Sequence, residues 1–508
     1  MRSLRRVFQV LFIFGFFVLF ILTTFPLNSL IPVDLFLRID PLIAFNTLLA
    51  SHSFLIKMIP SIIVLVITIF LGRIFCGWIC PLGTTIDACD KLPKEKLNKK
   101  TEQKKYRFTW IKYAVLIAVL TTALFSGPLA GYIDPIALYT RTVVTVFYPL
   151  FSFVVQGIFL LLYKVAFLEN FLFKIEEILR GTLLPINPVY FQGSMVFAFL
   201  ILAIFSTAYL TKRFWCRNLC PLGALLALFS RFRIYRRKVS DECTACQLCY
   251  KKCRMRAIKT DYKSTDHLEC INCMDCQAVC PVDAVHFGFS SKSEKESFDL
   301  NRRRILGAGI TGFFTFGLLR IAPVHTVKKG KVIRPPGSWQ ESAFLDRCIR
   351  CGECVRVCST AGKGLQHAMF ESGWEGFATP ILLTPMGYCE YNCNLCGQVC
   401  PTGAIHPLPL EDKKELKMGT AHFDKTRCIP WYYGEDCLVC EEHCPTPDKA
   451  IKFRETHSVT IDGKQTNVML PYVEELTCIG CGICTTVCPL EGNKGIYLTN
   501  TDEVRWEE

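Results

Sequence analysis

Apolar residues run in long unbroken stretches over the first 210 positions, then give way to short stretches punctuated by cysteine. Residues 7–25 (VFQVLFIFGFFVLFILTTF) are long and apolar enough to predict a bilayer-spanning helix. Further spans are predicted over Phe54–Leu71, Thr109–Phe125 and Phe191–Leu210. A cleaved signal peptide would have a shorter apolar core ending in small residues, whereas Pro26 and Leu27 follow here. Charge sets the sense of these helices. Arg2, Arg5 and Arg6 precede the first, eight Lys or Arg fall between 91 and 107, and Lys212–Lys238 is comparably basic. All three segments are expected on the cytoplasmic side. An even number of crossings must then separate the two basic loops. The stretch expected not to cross is 143–163: Pro149 interrupts it, and 165–183 continues as an amphipathic segment with Glu176, Glu177 and Arg180. A re-entrant or interfacial pair on the outer face is the expectation.

The 508 residues include 29 cysteines and carry a net charge of +14. Disulfide frameworks belong to short secreted chains, so this many thiols in a long one points elsewhere. The positive charge gathers beside apolar runs, which suits membrane orientation rather than nucleic acid.

The cysteines fall into repeated ligand sets. CTACQLCYKKC and CINCMDCQAVCP each read C-x2-C-x2-C-x3-C, the second closing on Pro281. Such a run wraps a [4Fe–4S] cubane, with the fourth Cys ligating the cluster of its partner run. That assigns Cys243, Cys246, Cys249 and Cys280 to one cluster, and Cys270, Cys273, Cys276 and Cys253 to another. Zinc would favour two C-x2-C pairs set well apart. Four more quartets follow: Cys348, Cys351, Cys354, Cys358; Cys389, Cys393, Cys396, Cys400; Cys428, Cys437, Cys440, Cys444; and Cys478, Cys481, Cys484, Cys488. The inner two stretch the first gap, which a loop can absorb.

Two predicted spans end alike, in FCGWICPLGT and FWCRNLCPLGAL. Cys76, Cys80 and Pro81 therefore match Cys216, Cys220 and Pro221, as in a duplicated helical hairpin. If the copies pack about a pseudo-twofold axis, four thiols converge to hold a metal or cluster, or to act as a thiol–disulfide pair. The bland alternative is two helix-end turns with inert buried cysteine. Cys89 belongs to no set, and only His52 lies near a span, so no membrane haem is expected.

Residues 290–304 form a charged linker, and Arg302–Arg304 lead into a glycine-rich apolar stretch at 305–323. Arginines before a modest apolar segment resemble a twin-arginine export signal, here kept as an anchor. The expected fold is an α-helical membrane bundle of about four spans, a fifth hydrophobic element at 305–321, and α+β ferredoxin-like polyferredoxin modules. The domains are 1–238 in the membrane, 239–289 as a cytoplasmic two-cluster module, 290–323 as linker and anchor, and 324–508 as a four-cluster domain facing the periplasm.

Through CGWICPLG, CRNLCPLG and the paired runs at 243–280, the first 290 residues resemble the NapH/MauN membrane ferredoxin-type proteins. Residues 301–490, with their arginine-led signal, resemble the NapG/MauM four-cluster proteins, so the chain looks like the two fused. That resemblance implies that the outer quartets share two clusters, Cys348, Cys351, Cys354 with Cys488 and Cys478, Cys481, Cys484 with Cys358. It implies likewise that the inner quartets pair Cys389, Cys393, Cys396 with Cys444 and Cys428, Cys437, Cys440 with Cys400. Arg254 and Ser359 depart from the Pro that often follows the last Cys.

No G-x-G-x-x-G follows a strand and no Walker A lysine is present, which excludes the common nucleotide-binding enzymes. Six [4Fe–4S] clusters without a substrate site read as a wire. The hydrocarbon core is about 30 Å thick, so a mobile quinol from the membrane pool is the expected donor. The expected function is electron transfer from quinol to a periplasmic or soluble reductase, at the bacterial inner membrane. NosR-like proteins and copper-handling membrane polyferredoxins share the C-x3-C-P hairpins. Their resemblance implies the alternative, an accessory factor that activates a periplasmic metalloenzyme.

Overall fold

The computed structural model describes residues 2–507 except 28, 91–107, 128, 165–168, 183, 185–188, 291–301, 322–331 and 460–464. The basic loop 91–107 and most of the 290–304 linker therefore lie outside the described residues. The chain forms two compact units. Met1–Ile21, Ile31–Val143 and Ser194–Leu318 make the first; Leu22–Leu30, Val144–Gly193 and Leu319–Glu508 make the second. Residues 1–238 are thus not one domain, because 144–193 goes with the C-terminal unit.

The first unit is built from a repeated set of helices. In chain order these are α1 (Arg2–Leu22), α2 (Pro41–Ser51), α3 (Pro60–Leu71) and α4 (Pro81–Cys89), then α5 (Thr109–Leu124) and α6 (Pro135–Thr142). After α7 (Tyr148–Leu162) and α8 (Glu169–Thr182), which lie in the second unit, the first unit resumes with α9 (Ser194–Ser206) and α10 (Pro221–Phe229). The duplication reaches further than the cysteine motifs. Both α2 and α6 open on Ile-Asp-Pro, and Asp40 and Asp134 accept from the second and third N–H groups of their helices. Proline at the first helical position loses an N–H that would be unpaired anyway, so each Asp-Pro starts its helix cleanly. Asp40 stands 33 positions before Arg73, whereas Asp134 stands 79 before Arg213; the surplus of 46 is close to the length of the 144–193 segment, which goes with the second unit. The halves exchange partners: α2 packs on α10 and α6 on α4. Thr85 on α4 donates to the Tyr139 hydroxyl on α6 at 3.1 Å.

Helices cover all four expected spans, but only α1 among them reaches spanning length. Among the described residues the other helix long and apolar enough to cross a membrane is Pro135–Leu162, which contains most of the stretch expected not to cross. Pro149 does not break it. A π-helical turn at Val143–Phe147 leads into α7, and Pro149 falls in the first turn of that helix, where a missing N–H is tolerated. The element at 305–321 is helical as expected, forming α11 (Arg302–Ile321). It runs beside α5 in the same direction: Arg304 lies over Trp110, Gly312 against Ala118 and Thr121, and Phe313 against Phe125. A Cβ at Gly312 would sit 2.9 Å from the Ala118 carbonyl oxygen, so only glycine lets the helices approach this closely.

The first unit also contains the module at 239–289, closed by an antiparallel pair of β1 (Tyr235–Val239) and β2 (Val285–Phe289). In the second unit, Phe159 of α7 and Leu172 of α8 pack together with Leu184, just beyond α8. The Arg356 guanidinium, almost wholly buried, stacks 4.2 Å over the Tyr148 ring at the start of α7. The ferredoxin part holds three two-stranded sheets: β3 (Leu365–His367) with β4 (Pro380–Leu382), β5 (Thr420–Phe423) with β8 (Ile496–Thr499), and β6 (Ile451–Val459) with β7 (Gln465–Val473).

Candidate cluster-binding sites

Each cysteine run bends around its own thiols. In four runs the residues flanking the second Cys are left-handed: Ala245 and Gln247, Asn272 and Met274, Arg350 and Gly352, Gly480 and Gly482. Alternating handedness turns successive N–H groups into one concavity, which suits an anionic cluster. The two stretched runs lack this signature.

Five small cavities are each lined by four of these cysteines. In the first unit Cys253, Cys270, Cys273 and Cys276 line one together, as the exchange of fourth ligands requires. Cys249 and Cys280 pack in one cluster of side chains, with Cys243 and Cys246 within electrostatic reach of Cys249.

In the second unit the partners differ from those the resemblance implied. Cys348, Cys351 and Cys354 meet Cys400, and Cys389, Cys393 and Cys396 meet Cys358. Cys428, Cys437 and Cys440 meet Cys488, and Cys478, Cys481 and Cys484 meet Cys444. Consecutive runs exchange ligands, giving two tandem modules instead of an inner pair nested in an outer one. The helix Glu353–Cys358 packs on Leu395–Gln398, and Val439–Glu442 on Ile483–Val487, just as Leu248–Lys252 packs on Asp275–Ala278 in the first unit. One local arrangement is therefore used three times, and pairing neighbours closes shorter loops.

Among the described residues, no three or more His, Cys, Asp or Glu converge tightly enough for a single metal ion. The four thiols that meet around each cavity are the donor set a cubane requires.

The C-x3-C-P thiols do come together. Each of Cys76, Cys80, Cys216 and Cys220 lies within electrostatic reach of the other three. Cys80 and Cys220 start α4 and α10, accepting from Gly83 N–H at 3.4 Å and Gly223 N–H at 3.3 Å. Cys76 packs with Cys253, Cys270 and Cys273 around Met255, Ala257 and Ile271, so the thiol set adjoins a cluster cavity.

A buried ionic network seats the module. Glu269 takes Lys112 at 2.5 Å and Arg73 at 3.2 Å; Asp87 takes Arg213 at 2.7 Å and Arg254 at 2.8 Å. Burial pushes the Glu269 carboxyl up, but Lys112 and Arg73 overcome this and hold it below the ordinary carboxylate range. Burial and the neighbouring Arg233 push His267 down to about 3, so its ring is neutral. The motif-based reading missed Arg73 and Arg213. Their common place, three residues before Cys76 and Cys216, was the available signal.

A family model described as a 4Fe-4S binding domain matches residues 56–100 and 193–240, the two C-x3-C-P hairpins. Another, described as a 4Fe-4S dicluster domain, matches 262–359. With the quartets this defines an iron–sulfur, ferredoxin-type electron-transfer protein. An uncharacterized protein of Methanocaldococcus jannaschii is 26% identical over 281 residues, 54% of this chain and 87% of its own. The ferredoxin-type protein NapG of Escherichia coli K12 is 37% identical over 164 residues, 32% of this chain and 68% of its own. The methylamine utilization ferredoxin-type protein MauM of Paracoccus denitrificans is 33% identical over 198 residues, 38% of this chain and 82% of its own. The chain belongs to the NapG/MauM family of ferredoxin-type proteins. No solved structure matches it.

Proposed function

We propose that this protein draws electrons from membrane quinol and passes them through six [4Fe–4S] clusters to a redox partner outside the cytoplasm. The observation that carries this reading is Cys76, on a helical hairpin, packed directly against the thiols of a cluster cavity. The first unit then acts as a NapH/MauN-like bundle, the shorter apolar helices α3, α5 and α9 crossing together with α1. The parallel run of α11 beside α5 supports an α11 that crosses in the same sense, taking the C-terminal modules to the periplasmic face. Cluster-loaded protein in nanodiscs should be bleached by a reduced quinone analogue; a spectrum that stays oxidised through hours of incubation defeats this.

The same contact favours one second reading, an accessory factor in which the clusters supply electrons to the C-x3-C-P thiols. In that case serine at these positions abolishes activation of a partner enzyme while quinol still reduces the clusters at the wild-type rate.

A further inference from the structure

We infer that the loop between Cys428 and Cys437 is the electron outlet of the second unit, a docking face for a soluble one-electron carrier whose cofactor edge is ringed by Lys or Arg. This rests on the reading of the chain as an iron–sulfur wire and deepens it, naming where electrons leave and the chemistry that collects them.

The loop is longer than ligation needs. Two residues separate the first and second thiols in the runs opening at Cys348 and Cys478, three in the run at Cys389, and eight here. The added length is displayed to solvent. Between the first and third Cys no residue is exposed in the runs at Cys348 and Cys478, and only Asn392 is in the run at Cys389. Between Cys428 and Cys440, by contrast, Tyr432 is 62% exposed, Tyr433 52% and Leu438 39%, with Glu435 and Asp436 exposed beside them.

The display is held in place. A short helix, Ile429–Tyr432, opens directly after Cys428. The Trp431 Nε1 donates to the Pro471 carbonyl on β7 at 3.0 Å, and Asp436 accepts the Met469 N–H at 2.9 Å. The Tyr432 and Tyr433 rings meet edge to face, 4.8 Å between centroids. Aromatic side chains anchored in water forfeit their own burial, and tyrosine is enriched at interfaces, where a partner restores it. Ile429, Pro430, Val439 and Pro471 line the cavity of Cys428, Cys437, Cys440 and Cys488. Leu438 lies between two of those cysteines, so a carrier resting on it is separated from the cavity by little more than one residue.

Charge names the carrier. Glu435 to Asp448 holds five carboxylates and no Lys or Arg, in a chain whose net charge is +14. Even with Asp424, Lys425, Arg427 and Lys449 counted, six carboxylates face three cations. Two of those cations are engaged locally. Lys425 lies 4.3 Å over the Trp431 ring, and Lys449 donates to the carbonyls of Glu441, Glu442 and Cys444. An apolar aromatic centre inside an acidic rim complements a cationic surface. Each encounter moves one electron, lost by the site and gained by the carrier.

The test uses full-length, cluster-loaded protein in nanodiscs of zwitterionic lipid, with a cationic cytochrome c as probe. Zinc-substituted cytochrome c reports binding alone; the native form reports electron transfer after reduction of the clusters by dithionite. The overall charge of the chain makes the sign informative. Repulsion from the whole molecule would let association strengthen as salt is added, whereas an acidic outlet makes it weaken. The expectation is that affinity and transfer rate both fall with salt. Glu435→Lys with Glu442→Lys should lower both about tenfold at low salt. Tyr432→Ser with Tyr433→Ser should lower both and leave the salt slope unchanged. Glu411→Lys with Glu415→Lys, the same charge change on the helix Leu410–Glu415, should alter neither. A wild-type affinity that rises with salt overturns the inference, as do equal effects of the two charge reversals or binding without transfer. The wild-type slope is decisive by itself, so a variant that fails to fold gives no shelter. Clusters that take electrons from dithionite but never from quinol defeat the proposed donor and leave the outlet standing.

Discussion

Glu269 shows how much one side chain is asked to do. Its two oxygens hold Lys112 and Arg73, both fully buried, against a module loop. Glu269→Gln leaves two buried cations short of charge, a change of the kind that costs roughly 3–5 kcal/mol. The expected readout is a lower unfolding temperature of the first unit. The pH dependence follows from its depressed pKa. Its contribution is fully present above the unfolded-state value of about 4.3 and fades as pH falls through the lower folded value. Acid unfolding of the wild type should therefore begin below about pH 4, and the Gln variant should lose that component. A second residue-scale test is Gly223→Ala, whose methyl would press on Arg73 Nη2 at 2.7 Å. It should disturb the C-x3-C-P site, seen as altered iron content or EPR, while Gly307→Ala, with open space around it, should not.

At the level of elements, cysteine spacing revealed the six runs, because the geometry of a cubane is written locally. Which run lends its fourth thiol to which is a matter of long-range packing, and there the nested pairing failed. Cys358 now serves Cys389, Cys393 and Cys396. Cys358→Ser should consequently damage the neighbouring run's cluster, which selective EPR or redox titration can resolve, and spare that of Cys348, Cys351 and Cys354. Apolar periodicity likewise located the helices but misjudged Pro149, since a π-turn that absorbs a proline leaves no mark in hydropathy. The repeated Ile-Asp-Pro at Asp40 and Asp134 was present in the sequence and would have shown that whole halves, not only hairpin ends, are duplicated. The docking of α7 was not readable at all, because it depends on Arg356 meeting Tyr148 from more than two hundred positions away. Arg356→Ala should loosen α7 by about 1–2 kcal/mol. Faster proteolysis between residues 163 and 193, with unchanged iron content, is the measurement that checks it.

For the whole molecule, the second unit holds two tandem modules and the first unit one, each built on the same exchange of a fourth thiol between neighbouring runs. A periplasmic-active reporter fused after Glu508 should report, and a cytoplasmic-active one should stay silent.

The way the chain is threaded also dictates an order of assembly. The second unit draws on Leu22–Leu30 and Val144–Gly193 as well as on the last third of the chain. The backbone amide of Phe25 is held by the Thr360 hydroxyl at 2.9 Å, and Gln192 reaches Glu371. Those early pieces leave the ribosome long before the polypeptide they must grip. Until then they lack the partners that hold them, so the second unit closes only after its last segment has been made.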